Sequence, residues 1–203
     1  MIRVITYIDG YNLYHALIDK GWRRYLWLDL PGFSRRLLKF NQELVMTKYF
    51  TSRTTGSNAK RQRQTKYIEA LKTLNYLEIS EGRFQDEPEQ CPKCKFIYTI
   101  PKEKKTDVSI ATEMLCDAFN NKFEVAILIS ADADLVPAIE AIKRERQDKR
   151  IIVAIPPGKN CEELINVAHA YLRIGRNQFA QSQLPPKVQR EDGFILDRPA
   201  EWI

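Results

Sequence analysis

Val125-Ala126-Ile127-Leu128-Ile129 is a run of five apolar residues, and Ser130-Ala131-Asp132-Ala133-Asp134 follows it directly. Next come Leu135-Val136-Pro137-Ala138-Ile139-Glu140-Ala141-Ile142-Lys143 and, after a charged stretch, a second apolar run from Ile151 to Ile155. A short unbroken apolar run closed by polar residues is how a strand buried on both faces of a parallel sheet reads. Between the two runs, Leu135, Ala138, Ile139 and Ile142 recur at helical spacing and predict a helix packed on one face. Pro137 fits the first turn of that helix, where a missing N–H costs nothing. Strand, helix and strand in this order imply a right-handed parallel crossover.

Working outward, Val4 to Ile8 is a third apolar run and the expected first strand. Residues 43–50 and 76–84 read as further strands, 59–74 as a helix between them, and 171–174 as a short last strand. Residues 106–119 form a convincing helix with Val108, Ala111, Leu115 and Ala118 on one side, and 161–168 should also be helical. From Gln181 the composition turns to Gln, Pro and charge, so the tail is expected to be extended or loosely docked. The expected fold is α/β, a doubly wound, mainly parallel sheet sandwiched by helices. It occupies residues 1–180, with an insertion at about 85–102 and a C-terminal extension over 181–203.

The composition narrows the function classes. A chain of 203 residues with 44% hydrophobic and 29% charged residues is neither disordered nor too short for a sizeable core. Its apolar runs fall far short of the ~20 residues needed to cross a bilayer, so no membrane partner is expected. The N-terminus enters the first strand without a secretory-type apolar stretch, and four cysteines are too few for a disulfide scaffold. Reduced thiols and a cytoplasmic location are the expectation.

In open α/β sheets, ligands gather beyond the carboxyl ends of the strands. Asp9 ends the first expected strand, Asp132 and Asp134 follow the 125–129 strand, and Asp107 lies in the opening turn of the 106–119 helix. If the two strands are neighbours, these carboxylates converge. Crowded carboxylates repel unless a cation neutralises them. An all-oxygen donor set without His or Cys favours Mg2+ or Mn2+ over Zn2+. Such an ion activates water and offsets charge on a phosphodiester. Asp107 and Asp134 are equally well placed to cap helices.

Asp9-Gly10-Tyr11-Asn12-Leu13, Lys104-Lys105-Thr106-Asp107-Val108 and Ile129-Ser130-Ala131-Asp132-Ala133-Asp134-Leu135 together resemble the NYN domain family of the PIN-like nuclease superfamily. The resemblance covers roughly residues 1–175 and rests on three motifs in the right order. It implies a PIN-like fold and a Mg2+- or Mn2+-dependent ribonuclease, taken as an endonuclease. By that resemblance Asp9, Asp107, Asp132 and Asp134 hold the metal, directly or through water, and Asn12 supports the site. The usual third motif is Ser-Gly-Asp-x-Asp; here Ala131 replaces the glycine. A non-catalytic RNA-binding or regulatory module of the same fold would show broken carboxylates, and all four are in place. A phosphatase of the haloacid-dehalogenase type needs Asp-x-Asp after its first strand, which Asp9-Gly10-Tyr11 lacks.

The net charge of +6 is unevenly spread. From Lys20 to Lys72 there are thirteen basic and three acidic residues, a net of +10 that leaves −4 for the rest. Clustered Lys and Arg suit a phosphate-tracking surface and make RNA the expected partner. The sharpest piece is the loop from Arg53 to Arg63, with Arg53, Lys60, Arg61 and Arg63 as expected contacts beside Lys104 and Lys105. Tyr11, Tyr14, Trp22, Tyr25 and Trp27 offer stacking faces for unpaired bases, or pack in the core. Cys91-Pro92-Lys93-Cys94 has the knuckle spacing of half a structural Zn2+ site. Two further ligands would have to come from a distant residue or from across a homodimer. The bland reading is a proline-containing turn.

Overall fold

A computed structural model describes every residue except Thr55, and every side chain except those of residue 55 and residues 83–87 and 99–104. Its elements in chain order are β1 (Ile2–Asp9), α1 (Gly10–Asp19), α2 (Leu30–Arg35), β2 (Gln42–Ser52), α3 (Asn58–Leu71), β3 (Leu77–Gln90) and β4 (Ile97–Lys104). They continue as α4 (Thr106–Phe119), β5 (Val125–Ile129), α5 (Val136–Glu145), β6 (Arg150–Ile155), α6 (Glu162–Val167), β7 (Ala170–Arg173), α7 (Arg176–Ala180), β8 (Lys187–Gln189) and β9 (Ile195–Asp197). The main sheet has the order β4-β3-β2-β1-β5-β6-β7, parallel throughout except for β4, which returns antiparallel along the outer half of β3.

The two strands that decided the sequence reading are neighbours. β1 pairs with β5 from Val4↔Val125 to Ile8↔Ile129, and β5 pairs with β6 through Ile129↔Ala154. All five residues of β5 are buried, as its unbroken apolar run requires. Side chains alternate between two cores. Val4, Ile8, Ile127 and Ile129 face a core closed by α1, α2 and α3, whereas Ile5, Tyr7, Ala126 and Leu128 face one closed by α4, α5 and α6. The chain therefore leaves β1 and β5 on opposite sides of the sheet, which makes their carboxyl ends the topological switch point.

One expectation changes. The tail is not loose: Leu184, Val188, Leu196 and Trp202 belong to the α1–α3 core, and β8 and β9 pair as a small hairpin. Trp202 packs its ring 6.3 Å from Trp27 and 5.9 Å from Tyr67. The insertion is a ribbon built from the far end of β3 and β4, with the cysteines in its tip, and its backbone pairs from Arg83↔Lys104 to Gln90↔Ile97. No described helix is long and apolar enough to cross a membrane.

Candidate active site

Asp9 is the last residue of β1 and is buried, 3% exposed. Two donors fix it. The Ser130 hydroxyl donates to one carboxylate oxygen at 2.9 Å, and the Asn12 backbone N–H donates to the other at 3.0 Å. Asp132 lies one turn beyond β5, and its backbone N–H donates to the same Ser130 hydroxyl at 3.1 Å. Asp107 stands in the first turn of α4, whose entry is set by Lys105 in a left-handed conformation, φ 79°. One carboxylate oxygen each from Asp9, Asp107 and Asp132 falls within 4.8 Å of the others, the only such acidic, His or Cys group among the described residues.

The structure thus brings together three of the four expected carboxylates. Asp134 is exposed and outside that group; its backbone N–H donates to Asp132 at 3.0 Å. The capping roles are the reverse of the sequence expectation. Asp9 caps α1 and Asp132 caps the short turn before α5, while the cap position of α4 is Lys105. A capping bond leaves other carboxylate lone pairs available, so both roles coexist in one side chain. Asn12 supports Asp9 through its backbone, and its side-chain carbonyl oxygen is buried without a hydrogen-bond partner. Ser130 is the residue that the sequence reading passed over. Its signal was its place at the end of a buried strand and at the head of the third motif.

The donor set fits a hard divalent cation. It is all oxygen, it concentrates negative charge, and an orphaned buried carbonyl oxygen lies on the first turn beside it. Gly10 makes the first turn possible, because a Cβ there would sit 2.6 Å from the Phe50 carbonyl oxygen and from the Tyr49 ring. Ala131, in contrast, has no left-handed backbone, so glycine is not required in its place.

At the same end of the sheet as the carboxylates, between α1 and α3, opens a cleft of about 110 Å3. Tyr11, Tyr14, Tyr49, Lys60, Arg63 and Trp202 are among its walls. Lys60 holds its ammonium 5.4 Å from the centre of the Tyr14 ring, and Arg63 pairs with Glu201 of the tail at 2.6 Å. Arg53, Arg61 and Lys105 do not line the cleft. Arg53 is paired with Glu81, Arg61 with Asn58 of its own helix, and Lys105 is exposed at the start of α4. The side chain of Lys104 is outside the described residues. Of the expected stacking rings, Trp27 and Tyr25 are core residues at 0% and 6% exposure, and Trp22 packs edge-on against Tyr25. Tyr11 is half exposed.

The sequence pattern of the NYN domain matches residues 3–175. The chain belongs to the NYN domain family. This NYN domain is also 29% identical to a curated protein of Pseudomonas putida, 6-hydroxy-3-succinoylpyridine 3-monooxygenase HspA, over 99% of this chain and 75% of that one. Among solved structures it resembles a protein of unknown function from Vibrio parahaemolyticus, with a TM-score of 0.58 and 20% identity, covering 90% of this chain and 96% of that one. That likeness supports the fold. The carboxylate triad is compatible with binding of a divalent metal ion in such a domain.

Cys91 and Cys94 of this NYN domain do come together at the ribbon tip. The Cys91 thiol is held below its ordinary range by hydrogen bonds from the backbone N–H groups of Cys94 and Lys93. Among the described residues no third acidic, His or Cys group joins them.

Proposed function

We propose that this NYN domain is a Mg2+- or Mn2+-dependent ribonuclease. The observation that carries this reading is the meeting of Asp9, Asp107 and Asp132 within 4.8 Å at the switch point of the sheet. Ser130 and the Asn12 backbone hold Asp9 in a single orientation, so the donor set is organised before a cation arrives. When bound, the cation would supply a more acidic water and charge compensation at the phosphodiester. Lys60, across the cleft from α1, would hold the strand by a phosphate, and Arg63 would join it by exchanging Glu201 for the phosphate.

Product ends test the chemistry. Attack by water leaves an ordinary phosphate monoester and a hydroxyl, whereas attack by the strand's own 2′-hydroxyl leaves a 2′,3′-cyclic phosphate. Cyclic ends on products made with Mn2+ would sink the water mechanism.

The name of the Pseudomonas relative favours a second reading, oxygenation of a pyridine ring, and the aromatic cleft offers a ring a place at the same end of the sheet. Loss of 6-hydroxy-3-succinoylpyridine on incubation with this protein, oxygen, a nicotinamide reductant and an O2-activating cofactor, tried as flavin and as Fe2+, would support it; unchanged substrate in every arm would remove it.

A further inference from the structure

The cleft between α1 and α3 has a composition that the metal centre does not explain. Its walls are mainly rings and aliphatic chains, and its rim is cationic. Tyr11 stacks at a tilt on His15, with ring centroids 4.3 Å apart, and still exposes half its surface. The exposed part of Tyr11 offers ring surface to a ligand at the cleft. The cleft volume, about 110 Å3, is on the scale of an engineered cavity of about 150 Å3 that holds a benzene ring. One planar ring fits with part of it still in solvent.

The cleft is tied to the carboxylates at two places. Gly10, one of its lining residues, directly follows Asp9. Ser52, another, is within hydrogen-bond distance of the Thr106 hydroxyl at 3.3 Å, and Thr106 directly precedes Asp107. The cleft and the triad thus open at the same carboxyl end of the sheet, through residues that are neighbours in the chain. Lys60, and Arg63 in exchange for its pairing with Glu201, mark where its negative charge would lie. A flat ring, an attached anion and a continuing chain are the parts of a nucleotide in a single strand.

We propose that this cleft receives one unpaired base of a single-stranded RNA, stacked against Tyr11 or Tyr14, with the neighbouring phosphodiester at the carboxylates. This rests on the ribonuclease reading only in taking RNA as the ligand. Stacking on aromatic side chains is tolerant of base identity, so the cleft selects unpaired strands rather than a sequence.

The test separates base capture from catalysis. Asp132→Asn protein in EDTA is irradiated with a single-stranded octaribonucleotide containing 4-thiouridine, and the crosslinked peptides are identified. The expected crosslinks fall on the peptides carrying Tyr11, Tyr14 or Tyr49, and uridine monophosphate suppresses them better than ribose 5-phosphate. Tyr11→Ala and Tyr14→Ala proteins, checked for unchanged melting, should bind the same strand about tenfold more weakly. Crosslinks confined to other surfaces, or equal suppression by the two phosphates, would overturn the proposal. Crosslinks in the cleft without Mn2+-dependent cleavage would keep the base site and remove the ribonuclease reading. Cleavage with crosslinks elsewhere would do the opposite.

Discussion

The Ser130 hydroxyl bonds to the Asp9 carboxylate across the ends of β5 and β1, at 2.9 Å, while accepting the Asp132 backbone N–H at 3.1 Å. One fully buried hydroxyl thus sets the positions of two of the three clustered carboxylates. Ser130→Ala removes that link without adding bulk. Apparent Mn2+ affinity and RNA cleavage should both fall by about 10–100-fold, as for other groups that orient metal ligands. Stability should fall by only about 1–2 kcal/mol. Metal titration alongside thermal melting checks the pair.

A second buried link lies deeper, below the site. Lys48 reaches Asp117 and Glu113, each at 2.6 Å, and the Tyr7 hydroxyl donates to Asp117 at 2.7 Å. Burial pushes the Asp117 carboxyl up, but hydrogen bonds from Lys48, Tyr7 and Lys122 outweigh it and hold it below the usual carboxylate range. Its stabilising contribution is therefore complete above the unfolded value of about 3.9 and is lost as pH falls through the lower folded value. Asp117→Asn should cost about 2–4 kcal/mol near neutral pH, with Glu113 still facing Lys48. The variant should also lose less stability on acidification than the wild type. Urea unfolding between pH 7 and pH 3 measures both effects.

The C-terminal hairpin is part of the fold. Trp202 fills space against Trp27 and Tyr67 and lines the cleft. Trp202→Ala should destabilise by about 2–4 kcal/mol through the cavity it leaves. A change under about 0.5 kcal/mol, the level of a surface substitution, would show that the tail does not belong to the core.

At the ribbon tip, backbone N–H groups of Cys94 and Lys93 favour the Cys91 thiolate. Iodoacetamide should modify Cys91 faster than the exposed Cys116 near pH 7, with the gap narrowing as pH rises and both thiols ionise. Mass spectrometry of the alkylated peptides reads the ratio. Faster reaction of Cys116 at pH 7 would show that the N–H bonds do not form.

The legible parts of the sequence were those with one strong physical signal. β1, β5 and β6 announce themselves because strands buried on both faces must be apolar throughout. The convergence of Asp9, Asp107 and Asp132 followed from their positions at strand ends and a helix start, once β1 and β5 were taken as neighbours. The β8–β9 hairpin was not legible, because Val188, Leu196 and Trp202 are single apolar residues among polar ones and set up no period. The far end of the ribbon likewise lacks a buried face to impose alternation, with Phe96 67% and Ile97 64% exposed. That Asp134 stands outside the 4.8 Å group was not legible, because the spacing of Asp132 and Asp134 does not reveal which of the two the turn brings to Asp9 and Asp107.

The central claim is that the Asp9–Asp107–Asp132 group holds a divalent ion that drives RNA cleavage. The most direct measurement is the cleavage rate of a single-stranded RNA by wild-type and Asp132→Asn proteins, each with Mn2+ and with EDTA. The account predicts cleavage by the wild type with Mn2+ alone, and a loss of at least about 100-fold, on the order of 3 kcal/mol of barrier, in the other three arms. Equal rates for wild type and Asp132→Asn, or cleavage that survives EDTA, would contradict it.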